Sequence, residues 1–183
     1  MSTSRIALAA LFTVALTSYA QATTIYDADN TSMFYPGFVR NAIADGTMAV
    51  EIYGSPFDSH SKTEAATIAS VLHMPPGYGE ARFTTTPDPS HAKQRLVMVF
   101  NPLRSADSNN TICKDPKSIV LGTAADPMRV EMALCDSDHW ISQATVAGSR
   151  GTGIKDPQFA STIEDGLHEL MPAPTQVFPD ENS

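Results

Sequence analysis

The sequence predicts an α+β domain, an antiparallel β-sheet with helices packed on one face and held by one disulfide. Three observations predict it. β-rich runs fall in two groups, at 47–100 and at 128–147, with helical periodicity early and late in the chain, a pattern that segregates helices from sheet. Two of the runs alternate apolar and polar residues, as strands wet on one face do. Both cysteines, Cys113 and Cys135, lie downstream of an export segment, where an even count reads as a bridge.

That export segment is residues 1–22. Arg5 supplies the charged start, Ile6 to Leu16 the apolar run and Ala20-Gln21-Ala22 the small-x-small cleavage site of a secretory signal. A membrane anchor fits less well, because a spanning helix needs roughly 20 predominantly apolar residues and Thr13, Thr17, Ser18 and Gln21 interrupt this one. Residues 23–46 show no sustained period and are expected to wrap the domain, with a short helix from Pro36 to Ala44 and with Tyr26, Met33, Phe34, Tyr35 and Phe38 supplying its apolar side chains. The domain proper spans 47–172.

Thr47 to Tyr53 reads as the first strand, ended by Gly54-Ser-Pro56. Ser61-Lys-Thr-Glu64 has the form of a capping box, and Ala65, Ile68, Ala69 and Leu72 then recur at helical spacing until Pro75-Pro76-Gly77. Glu80 to Thr86 alternates, while Arg95 to Phe100 is apolar almost throughout and fits a central strand. The linker 87–93 is expected to be exposed. From 101 to 127 the chain is rich in turn residues, and Cys113 staples this excursion. Met128 to Cys135 alternates, Asp136-Ser-Asp138 turns, and Trp140 to Ala147 returns as a paired strand. Asp156 caps a last helix with Pro157 at its first position and Phe159, Ile163, Leu167 and Leu170 on one face. Residues 173–183 form a polar, Pro-rich tail.

Twelve Lys and Arg stand against 20 Asp and Glu, for a formal net charge of −8. That balance argues against nucleic acid and anionic membrane as partners, since both call for clustered cations. The predicted location is the periplasm or the medium, and the predicted partner an envelope protein or a small molecule.

Chemistry-bearing residues are sparse. The histidines His60, His73, His91, His139 and His168 form no H-x-H or H-E-x-x-H spacing, so no metal site and no cofactor is expected. Asp136, Asp138 and His139 cluster in one turn, where an imidazole oriented by a carboxylate is the arrangement of a general base. Turn composition explains the same residues without chemistry. Gly148-Ser-Arg-Gly-Thr-Gly153 has the look of a phosphate loop but lacks the Gly-Lys-Ser/Thr ending, and Asp156 beside it repels anions. The 22-residue spacing of Cys113 and Cys135 argues for a structural bridge over a C-x-x-C redox pair. The methionines are dispersed, which suits core filling better than soft-metal binding.

Tyr53-Gly-Ser-Pro-Phe57, Ala81-Arg-Phe-Thr-Thr-Thr-Pro87, Val97-Met-Val-Phe-Asn-Pro102, Cys113-Lys-Asp-Pro116 and Ala133-Leu-Cys135 together resemble a pattern in small exported (periplasmic) bacterial proteins of unknown function. The resemblance covers about residues 47–150. It implies periplasmic residence and the Cys113 to Cys135 bridge, and it brings no activity. The expected function is therefore a non-catalytic binding or accessory module; the alternative is a hydrolase or metal-dependent enzyme centred on His139 with Asp136 or Asp138.

Overall fold

The computed structural model describes residues 22–57, 62–89, 92–104 and 110–174. All but the last residue of the export segment and all but the first two of the tail, with His60, His91 and the Ser61 half of the capping box, lie outside that range. In chain order the elements are β1 (Thr24–Asn30), α1 (Pro36–Ala42), β2 (Ile43–Ala44), β3 (Thr47–Tyr53), α2 (Lys62–Val71), β4 (Arg82–Thr84), β5 (Gln94–Phe100), α3 (Thr111–Lys114), β6 (Met128–Asp136), β7 (His139–Gly148) and α4 (Pro157–Leu170). They form an α+β fold with one sheet, in the order β1-β7-β6-β5-β3-β2, and β4 also pairs with β3.

From β1 through β7 and β6 to β5 the sheet is antiparallel, as expected from the hairpin spacing. β3 departs from that expectation, running parallel to both β4 and β5. The reason is α2, since a helical crossover between strands returns the chain in its original direction, which a tight turn cannot do.

Alternation assigns the two faces. Met48 and Val50 of β3, Leu96, Met98 and Phe100 of β5, and Met128, Val130, Met132 and Leu134 of β6 point to one side, where they meet Ile68 and Leu72 and the Phe159, Ile163, Leu167 and Leu170 stripe of α4. Each such side chain contributes about 1.5–3 kcal/mol when fully buried. Five methionines, Met48, Met98, Met128, Met132 and Met171, are fully enclosed there. Gly166 lets α4 approach the sheet, because a Cβ at that position would overlap Met132 and press on Val146. The Asp156 carboxylate accepts from Gln158 N at 2.9 Å, the N-cap the sequence indicated.

The opposite face carries a smaller cluster of Val97, Val99, Ala133 and Cys135, covered by Ile112 and Cys113 of α3. The disulfide joins Cys113 to Cys135 with their Cα atoms 5.7 Å apart and ties the 101–127 excursion to the sheet. The three longer helices thus share one face, and the four-residue α3 adds a lid on the other.

The N-terminal segment corrects an expectation. Residues 24–30 are a strand on the sheet edge, and only Phe34 and Phe38 of its aromatics are buried. Tyr26 and Tyr35 face solvent. A strand at an edge needs only one neighbour, so its side chains carry no packing signal for a sequence reading to find.

Candidate functional site

β1 is held almost entirely through its backbone. It pairs antiparallel with β7 from Thr24↔Ala147 to Asn30↔Ser142, and all seven residues are exposed. Thr31 closes the pairing, its N–H and hydroxyl both donating to Ile141 O at 2.9 and 3.1 Å. Phe34 and Phe38 then anchor the chain in the core.

A bulge falls between Ile25 and Asp27, so Tyr26 is the extra residue. The Arg129 guanidinium lies 5.9 Å from the Tyr26 ring centroid and donates to the Glu131 carboxylate at 3.1 Å. Glu131 is 4% exposed, so this pair closes the sheet face beside β1. Beyond the bulge, Asp27 stands opposite Thr145 and Asp29 opposite Gln143, which puts both carboxylates on one face of the edge strand. Of the six exposed large apolar side chains among the described residues, four belong to this arm: Ile25 at 44%, Tyr26 at 65%, Met33 at 54% and Tyr35 at 47%. Within the fold Tyr26 meets Arg129 and Tyr35 lies edge-on to Phe38 with ring centroids 6.5 Å apart, yet both rings stay largely open to solvent.

Elsewhere polar groups are occupied in holding loops. At the carboxyl ends of β3 and β5, Ser55 Oγ donates to Glu64 Oε1 at 2.7 Å, and Asn101 Nδ2 donates to Ser55 O at 3.2 Å. Asn101 Oδ1 also accepts from Arg129 N at 3.2 Å. Gly54, at φ +74°, sits where a Cβ would collide with Phe100 O. Arg150 caps this end, donating to Pro56 O at 3.3 Å with its guanidinium 5.9 Å from the Phe57 ring centroid.

The glycine-rich loop at 148–153 is likewise filled from within. Thr152 N and Oγ1 both donate to Asp156 Oδ2 at 2.9 Å, and Gly151 N donates to Ser149 Oγ at 3.1 Å. Donors that a phosphate would need are thus given to a carboxylate and a hydroxyl of the chain itself. Hydrogen bonds from Thr152 N–H, Gln158 N–H and the Thr152 hydroxyl hold the Asp156 carboxyl below its ordinary value. On the disulfide face, Tyr53 donates to Glu51 Oε2 at 2.8 Å while Arg95 Nε lies 3.0 Å from Glu51 Oε1. Burial first, and then the bond to Glu51, push the Tyr53 phenol well above its ordinary value.

The His139 turn is a two-residue hairpin loop, Ser137-Asp138, with Asp136 paired to His139. Asp138 and His139 are exposed, and Ser137 takes a φ of +55°. Among the described residues no group of three His, Cys, Asp or Glu side chains could hold a metal. His73 Nδ1 lies 3.0 Å from Glu164 Oε1, joining the end of α2 to α4. It borders an open groove of about 710 Å³ that Asp45, Glu80 and Arg82 also line, a mixed-charge surface at the amino end of β3. No helix in the described residues is long and apolar enough to cross a membrane.

The β1 edge escaped the sequence reading. Asp27, Ala28, Asp29 and Asn30 are poor strand formers, and the bulge at Tyr26 cuts them off from the β-forming Thr24 and Ile25.

No protein-family model and no curated protein matches the chain. Among solved structures the chain is similar to PelC from Paraburkholderia phytofirmans, a dodecamer, at 14% identity, covering 82% of this chain and 98% of that one with a TM-score of 0.40. A likeness that loose carries no argument about this chain.

Proposed function

We propose that the protein is a non-catalytic binding module of the periplasm or the medium, and that it presents the β1 edge and the N-terminal arm to a partner. One observation carries this reading: Ile25, Tyr26, Met33 and Tyr35 are exposed on one arm whose strand is registered mainly by backbone bonds to β7. Monomeric surfaces seldom gather large apolar side chains without use, and aromatic residues are enriched where proteins bind one another. The enclosed Cys113 to Cys135 bridge supports an oxidising location, and the signal-like residues 1–22 support export.

Photo-crosslinking in the native compartment tests it. A photoreactive residue placed at Tyr26 or Tyr35 is expected to give a discrete adduct, and one placed at the exposed Leu103 is not. Adducts at Leu103 alone would contradict the proposal. The His139-centred enzyme makes a separate demand, that His139→Ala abolish a cellular phenotype without unfolding the protein. The binding reading expects that variant to behave as the parent.

A further inference from the structure

We infer that the partner docks on the free edge of β1 as an added strand, and that the docking segment is extended and basic, with cationic side chains two residues apart. This rests on the binding reading above and names the chemistry of its partner. β1 ends the sheet, so among the described residues only β7 pairs with it, and the backbone groups on its other side are open to a further strand. Seven residues at about 3.3 Å each give an edge of roughly 23 Å.

Charge selects the occupant. Asp27 and Asp29 share one face of the strand, and an incoming strand sets its own side chains about 5 Å from them. A second copy of the chain is a poor occupant. Antiparallel β1 to β1 registers centred on Asp27, Ala28 or Asp29 each place Asp opposite Asp, and the chain is already at a formal net of −8. Like charges directly opposite destabilise a strand pair, so the two acids guard the edge against itself while attracting a cationic strand. Ile25 and Tyr26 flank the acids on one side and Met33 and Tyr35 on the other, which offers apolar contact at both ends of the docked segment.

The test uses the full exported protein and a short peptide alternating Lys and Val, with a Glu/Val peptide as control. Calorimetry reads affinity and amide exchange reads the site. The expected result is that the Lys/Val peptide binds, that added salt weakens it, and that β1 amides slow while α4 amides do not. Asp27→Lys with Asp29→Lys is expected to weaken that binding at least about tenfold and to transfer preference to the Glu/Val peptide. Asp27→Asn with Asp29→Asn, nearly isosteric, is expected to bind neither peptide. Indifference to charge reversal, unchanged β1 exchange, or β1 protection that arises from self-association overturns the inference. If adducts at Tyr26 form in the cell while the Lys/Val peptide fails to bind, the basic-strand inference falls and the binding reading stands; if both fail, both fall.

Discussion

The last helix and the first strand flank the sheet in opposite ways. α4 buries Phe159, Ile163, Leu167 and Leu170, is capped by Asp156, and packs so closely that Gly166 has no room for a side chain. β1 buries none of its seven residues and keeps its register through main-chain bonds to β7. The contrast teaches which residues the fold specifies. Packing accounts for the identity of each core-facing position in α4, whereas it accounts for neither Ile25 nor Tyr26.

Perturbation should therefore be unequal, and several changes would break or sharpen the difference. Leu167→Ala opens a hole between α4 and the sheet and is expected to cost about 3–5 kcal/mol in denaturant unfolding. Cys113→Ser with Cys135→Ser releases the 101–127 excursion on the other face and is expected to cost about 3 kcal/mol, the chain-entropy value for a loop of that order. Gly166→Ala pits better helix propensity against overlap with the enclosed Met132, and the overlap is expected to win by about 1–3 kcal/mol in thermal unfolding.

Acid gives a smaller effect. The Asp156 carboxyl is held below its ordinary value, so its contribution is present above the unfolded-state carboxylate value and is lost as pH falls through the lower folded value. Amide signals of Gly151 and Thr152 are expected to shift in that acid window, and in Asp156→Asn to stay flat. At the bottom of the scale, Tyr26→Ser removes only a ring above Arg129, and a change within about 1 kcal/mol is expected.

The sequence made the α4 stripe, its cap, the β6–β7 hairpin and the disulfide legible because each leaves a local periodic or compositional mark. The parallel pairing of β3 with β5 left none, since alternation marks which face a strand buries and not which way its neighbour runs. Asn101 was hidden for a different reason. It bridges Ser55 O and Arg129 N, contacts separated by tens of residues that no spacing rule anticipates. Asp136, Asp138 and His139 stood out by composition, yet the hairpin they form leaves Asp138 and His139 at the surface. The β1 arm was misplaced because burial is what patterns a strand, and β1 is exposed on both sides.

One variant measured twice tests the account most directly. Ile25→Ser with Tyr26→Ser should unfold at nearly the same denaturant midpoint as the parent while losing the partner adduct from a photoreactive residue at Tyr35. A midpoint that falls as far as that of Leu167→Ala would show that these side chains serve the fold, and an adduct that survives would show that the partner does not use them.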